Sequence, residues 1–369
     1  MKFDVIVVGA GPAGLGVAVL LKKLGIDFII LEKDDIGSSF RKWPKETKFI
    51  SPSFTGNFFK MTDLNAITPD SSPALSLLTE HPTGEDYAAY LEEVSDYHSL
   101  PIYKGVSVTS VQKQGSSFVL ATSVGEYVSK YLIWAAGEYQ YPNKNNFQGS
   151  DLCTHYSEIT SFSDLDGDEY VVIGAYESGF DAVFNLTKAG KKTTLLDSSK
   201  YLELVKSDSS YCLSPFTRDR IFEVIKHLNY HPETKATSVE YEEGNYIVKT
   251  KNGTTFSSQH KPINCTGFAS SLTLVKKLFL FAKDGFPLLS EIDESIETNN
   301  LFLVGPQVKH EKALFCFIYK YRQRFAIVAE SIARRKRISR RTIKEVLKEY
   351  KDLNFYLKDL SCCDGECIC

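Results

Sequence analysis

The stretch Lys2–Glu32, KFDVIVVGAGPAGLGVAVLLKKLGIDFIILE, reads as a strand, a glycine turn, a helix and a second strand. Lys2–Val8 is a short apolar run of the kind buried in a parallel sheet. Gly9-Ala10-Gly11-Pro12-Ala13-Gly14 has GxGxxG spacing, an alanine- and leucine-rich helix follows, and after Gly25 the strand Asp27–Leu31 closes at Glu32. That acid stands 23 positions after Gly9. In this context the first glycine makes a tight turn, the second lets backbone approach a pyrophosphate, and the third lets helix and strand pack closely. The helix N-terminus offers free N–H groups and roughly half a positive charge to the phosphates. The acid accepts the ribose hydroxyls. The stretch therefore predicts a dinucleotide-holding βαβ unit.

The same pattern recurs 165 residues later. Tyr170–Ile173 is a strand, Gly174-Ala175-Tyr176-Glu177-Ser178-Gly179 opens a helix, Gly190 matches Gly25, and Thr193–Leu196 ends at Asp197. Tyr176 replaces the middle glycine, so backbone cannot approach phosphate there as it can in the first copy. Two nucleotide units in one chain point to two nucleotides, a resident one and a diffusing one. Two further pieces look alike: Tyr131–Gly137 (YLIWAAG) and Lys261–Gly267 (KPINCTG) each run as a strand into a small residue and glycine. They mark where the chain leaves each unit, which makes the second unit an insertion into the first. Pro101–Val111 and Ser116–Thr122 alternate like a small antiparallel piece. Leu301–Val304 is a late strand ending in Gly305-Pro306. A long helix is expected from Ala313 to about Arg334, and a short one over Thr342–Tyr350.

Composition removes other classes. Across 369 residues, 43 basic and 46 acidic side chains leave a net charge of −3, so no basic field attracts nucleic acid. The one basic cluster, Arg334–Arg337 with Arg340 and Arg341, reads as the solvated face of a late helix. Val5–Leu21 is uncharged, but its glycines and proline belong to the nucleotide loop rather than to a membrane span. The N-terminus lacks a cleavable signal pattern, and four of the eight cysteines are scattered while four crowd the last eight residues. A cytoplasmic protein without a disulfide framework is expected.

Over nearly its whole length the chain resembles the two-dinucleotide-domain flavoproteins. The resemblance implies an α/β fold, an FAD-binding Rossmann-like domain interrupted by an inserted NAD(P)-binding Rossmann-like domain. It divides the chain into 1–140 and 265–360 for FAD, 141–264 for NADPH or NADH, and a Cys-rich tail, 361–369. Gly37–Trp43 (GSSFRKW) and Phe49–Asn57 (FISPSFTGN) resemble loops that border the flavin in small bacterial flavin-containing monooxygenases. The implied FAD contacts are Gly9, Gly11, Pro12, Ala13, Gly14, Glu32, Lys33, Ser39, Phe40, Trp43, Ile50, Val108, Ala136, Gly137, Gly305 and Gln307. The implied nicotinamide-nucleotide contacts are Gly174, Tyr176, Glu177, Ser178, Gly179 and Asp197. Asp197 would accept the ribose hydroxyls of NADH, while Lys191, Lys192 and Lys200 could neutralise the 2′-phosphate of NADPH. Asn57 is the catalytic candidate, against a plain turn role in Gly56-Asn57.

That resemblance implies an NAD(P)H-consuming oxidoreductase that oxygenates a small soft nucleophile or ketone with molecular oxygen, through a flavin C4a-hydroperoxide. Phe49, Phe54, Phe58 and Phe59 would keep that site dry, or simply build core. Two departures pull elsewhere. Phe147-Gln148-Gly149 is followed by His155, a spacing longer than the monooxygenase fingerprint, and His155-Tyr156 is similar to a pair in bacillithiol-disulfide-reductase-like flavoproteins. Those relatives carry a cysteine where this chain has Ala13, and the chain lacks Cys-x-x-Cys. Reduction of a low-molecular-weight disulfide is the alternative, and a redox or metal sensor a third reading. The tail Cys362–Cys369 could hold a soft metal, relay electrons, or be a frayed terminus. A homodimer is left open; neither nucleic acid nor membrane is expected as a partner.

Overall fold

The computed structural model describes residues 1–55, 62–206 and 208–361; Asn57, Phe58, Phe59 and the tail cysteines lie outside them. Lys2–Val8 pairs in parallel with Phe28–Leu31 on one side and with Gly125–Trp134 on the other. Ile102–Tyr103 extends the sheet past Phe28–Leu31. Gly125–Trp134 changes partner along its length. Its first half pairs antiparallel with Ser117–Thr122, and Leu132–Trp134 run parallel to Leu301–Leu303. The chain thus leaves this sheet after Trp134 and returns to it at Leu301.

The second sheet falls within that interval. Its five parallel strands lie in the order Leu228–His231, Lys192–Leu196, Glu169–Ile173, Ile263–Asn264, Thr154–His155. A separate antiparallel sheet, Ala236–Glu242, Asn245–Thr250 and Thr255–Ser258, belongs to the same interval. One α/β unit therefore interrupts another, as the repeat implied.

The repeat is one of packing as well as of sequence. Gly9 and Gly174 sit at φ +106° and +98°, where a Cβ would lie 2.5 Å from the Ala135 carbonyl oxygen and 2.7 Å from that of Cys265. Both linker motifs thus lie against the first glycine of a loop. A Cβ on Gly14 or Gly179 would stand 1.9 Å from the carbonyl oxygen of Gly9 or Gly174, which closes each turn onto its helix. The helix Pro12–Lys23 is buried from Ala13 to Leu21, which explains its nearly all-apolar sequence. At Gly16 it comes so close to helix Ile318–Arg335 that a Cβ would meet the Phe325 ring at 2.2 Å.

Three expectations change in detail. The long helix begins at Ile318, because Ala313-Leu314 instead pair antiparallel with Lys309-His310. Pro101–Val111 is divided: Ile102–Tyr103 joins the parallel edge and Val108–Gln114 forms the hairpin with Ser117–Thr122. The basic run is partly neutralised, since Arg334 pairs with Glu330, Arg335 with Glu294, Lys336 with Asp4 and Arg341 with Glu345. Among the described residues, no helix is long and apolar enough to cross a membrane.

Candidate functional site

A cavity of about 480 Å³ opens where the two units meet. From the first unit come Gly11, Pro12 and Ala13 of the glycine loop, Ser39, Phe40 and Trp43, then Phe49 and Ile50, and the linker Ala136-Gly137. From the second come Tyr176, Glu177 and Ser178. Sequence candidates scattered over 168 positions thus share one wall. Gly9, Gly14, Gly174 and Gly179 lie behind it as the turns that shape the loops.

The first loop fits FAD. A Cβ on Gly11 would have nothing within 4 Å, so a cradle stands open where pyrophosphate must approach. Glu32, buried at the strand end, accepts the amides of Ala10 (2.7 Å) and Asp34 (2.9 Å). Burial raises its carboxyl, and those two amides oppose the shift. Each oxygen keeps a lone pair for a ribose hydroxyl. Lys33 follows at the surface, and the amide of Val106, two residues before Val108, donates to Glu32 O at 2.8 Å. Gly305, at φ +109°, faces Ala13. The Gln307 side chain accepts from Ser270 and Ser271, and Pro306 before it lines the wall.

The second loop keeps the backbone and differs in its side chains. The Tyr176 hydroxyl donates to the carbonyls of Ser210 and Cys212 (3.2 and 3.0 Å), tying the following segment over the loop. Glu177 takes the Ser214 amide at 2.6 Å and the Thr217 hydroxyl at 2.5 Å. Burial raises its carboxyl against those donors. Asp197 is fully buried, with its carboxylate accepting from the amides of Ser199 and Tyr201 and from the Tyr230 hydroxyl. It is sealed under its own turn, which corrects the expectation that it faces a ribose. Lys191 and Lys192 are corrected too. Lys192 opens strand Lys192–Leu196 at the end opposite Asp197, and Lys191 just before it donates to the carbonyls of Leu165 and Gly167. Asp197→Asn is therefore expected to leave the NADH/NADPH preference unchanged while lowering thermal stability. Steady-state kinetics with both nucleotides checks this, and a marked shift toward NADPH would contradict it.

Asp181, Thr47 and Arg220 carried no motif, and they meet others that did. Asp181 lines the cavity and accepts from Thr47, Tyr156 and Arg220, each at 2.7 Å. Thr47 and Tyr156 are themselves 2.6 Å apart, so this knot ties the first unit to the second. An acid amid the apolar face Phe180, Ala182, Val183 was its only signal. His155 anchors the second linker: Nδ1 accepts the Ser157 amide, which leaves Nε2–H to donate to Gly267 O at 3.0 Å. Burial lowers its imidazole, which fits the neutral form. Phe40, Trp43, Phe49 and Tyr87 pack as one aromatic group with centroids 4.3–5.5 Å apart, so Phe49 is both core and wall. Phe54 does not line the cavity. Among the described residues no cluster could hold a metal ion.

An interrupted pair of dinucleotide units thus meets at one shared cleft. Residues 6–305 match the pyridine nucleotide-disulphide oxidoreductases, and the chain belongs to that family. FAD and a nicotinamide nucleotide are accordingly its cofactors. Bacilliredoxin reductase Bdr of Bacillus subtilis is 30% identical over 194 residues, 52% of this chain and 56% of the relative. The chain spans about half the length of the curated relatives it matches. Its fold is similar to bacillithiol disulfide reductase Bdr from Staphylococcus aureus (TM-score 0.74, 22% identity, 91% and 99% of the two chains). It is also similar to a flavin-containing monooxygenase from Stenotrophomonas maltophilia (TM-score 0.65, 16% identity, 95% and 98%).

Proposed function

We propose that this FAD- and NAD(P)H-dependent oxidoreductase is a monooxygenase that transfers one oxygen atom to a small soft nucleophile. The observation that carries this reading is the wall of the cleft. Phe40, Trp43, Phe49, Tyr139, Phe268, Phe317 and Tyr321 surround it, and Cys316 is the one thiol lining it among the described residues. Cys153 and Cys265 are buried and Cys212 does not line the cavity, so among the described residues no thiol pair faces the site. Bound there, FAD would accept a hydride from the nicotinamide nucleotide and supply two electrons to oxygen.

The chain's own groups would orient and keep dry. The open backbone at Gly11 admits the pyrophosphate, and Pro306 and Ala13 shape the wall beside it. The rings exclude water, which strengthens every polar contact within. Asp181 is kept silent, because Arg220 balances its charge and Thr47 and Tyr156 fill its lone pairs. Tyr156 holds its own proton, since burial drives its hydroxyl well above the ordinary range.

One observation favours a second reading. Cys316 faces the cleft and donates its thiol to Ser210 Oγ at 3.2 Å, and the Lys320 ammonium reaches the same hydroxyl at 2.7 Å. A single thiol so placed suits reduction of a low-molecular-weight disulfide. The two readings part on the reduced enzyme. NAD(P)H-reduced protein mixed with oxygen and a thioether should return a sulfoxide, with hydrogen peroxide when the thioether is omitted. Rapid anaerobic reoxidation by bacillithiol disulfide, abolished in Cys316→Ser, would replace oxygenation with disulfide reduction.

A further inference from the structure

Three carboxylates line the cleft, and two are fully engaged: Asp181 by Arg220, Thr47 and Tyr156, Glu177 by Ser214 and Thr217. The third, Glu138, follows directly on the linker Ala135–Gly137. Its carboxylate has no hydrogen bond and no ion pair among the described residues, and only its backbone is used, accepting the Tyr141 amide. It is densely surrounded by protein, yet it keeps some accessible surface because that surface opens into the cavity. Burial raises its carboxyl, and no lysine or arginine offsets the effect. The Cys316 thiol and the Tyr321 phenol line the same cavity.

A lone carboxylate in an apolar cleft is costly unless something completes it. Aromatic faces attract a cation electrostatically, beyond the stacking and dispersion they offer a neutral group of equal size. Tyr139 and Phe268, stacked at 4.9 Å between centroids, line the same wall, and Phe317 and Tyr321 add further rings. We infer that Glu138 and these rings form a binding site for an organic cation. Two sources supply that chemistry, the alkylammonium group of a substrate and the positively charged ring of the oxidised nicotinamide. The inference goes beyond the choice of electron acceptor and can fail or stand independently of oxygenation.

The test is equilibrium binding to the oxidised, FAD-loaded protein, read as perturbation of the flavin absorbance. Benzyltrimethylammonium carries a fixed charge, and neopentylbenzene is its neutral isostere. The cation should bind at least about tenfold more tightly, and Glu138→Gln should bring the ratio close to one. If the substrate supplies the cation, Glu138→Gln leaves the ratio of NADP⁺ to NADPH affinity as it was. If the nicotinamide supplies it, that ratio falls by about tenfold and benzyltrimethylammonium competes with NADP⁺. Equal binding of cation and isostere, or a preference that survives Glu138→Gln, overturns the site. Should Glu138→Gln lose its flavin, Glu138→Asp withdraws the charge by one methylene and should lower the preference part way. An unchanged preference there overturns the site equally.

Discussion

Gly11→Val is expected to yield a folded protein that purifies almost colourless. A Cβ at Gly11 meets nothing within 4 Å, so the empty loop accepts valine without a clash. The branched side chain then fills the space through which backbone must approach a pyrophosphate. Gly14→Val makes the contrast. Its Cβ would stand 1.9 Å from the Gly9 carbonyl oxygen, and the first βα turn cannot close. The first variant should keep the wild-type far-ultraviolet circular dichroism and lose the yellow flavin spectrum; the second should lose both. Full flavin occupancy in Gly11→Val would show that the loop does not hold FAD.

Asp293→Ala is expected to cost about 3–5 kcal/mol of stability, because it leaves a guanidinium buried without its counter-charge. Arg324 and Asp293 are both fully buried. Asp293 receives Nε and one terminal nitrogen of Arg324 at 2.9 Å each, and His310 Nε2 at 2.5 Å. The remaining donors of Arg324 hold the carbonyls of Leu357 and Glu291, so one residue of helix Ile318–Arg335 fastens two loops. Glu345→Ala serves as the control. Its partner Arg341 is exposed four residues earlier on the last helix, Arg340–Asp352, a pair worth about 0.3–0.5 kcal/mol. Urea unfolding measures both, and a small loss in Asp293→Ala would mean that the buried charges are relieved by water.

Much of the architecture was legible because glycine leaves a signature that depends on local geometry alone. Gly9, Gly14, Gly174 and Gly179 sit where a Cβ would strike backbone, and such positions repeat whenever the turn repeats. Ala135 and Cys265 were legible for the same reason, since each linker must lie against the first glycine of a loop. The start of helix Ile318–Arg335 was not, because Ala313-Leu314 form a strand only by meeting Lys309-His310. The site divides along the same line. Gly11, Phe40, Trp43, Ile50 and Tyr176 could be named from motifs, whereas Asp181, Glu138 and Cys316 follow no spacing rule.

From the sequence alone came the two βα nucleotide units and, from the recurrence of their linkers, the insertion of one into the other, while the kinds of cofactor came with the resemblance. Each unit rests on spacing within some thirty residues, where backbone sterics and strand–helix periodicity suffice. Which carboxylates the protein itself satisfies was decided only by tertiary structure. Glu32, Asp197 and Glu138 are alike as carboxylates, but among the described residues Asp197 has three protein donors, Glu32 has two, and Glu138 has none. Those donors arrive from the glycine loop, the following turn or a neighbouring strand. The free energy of a buried charge depends on what surrounds it, and that is known only once the chain has closed around it.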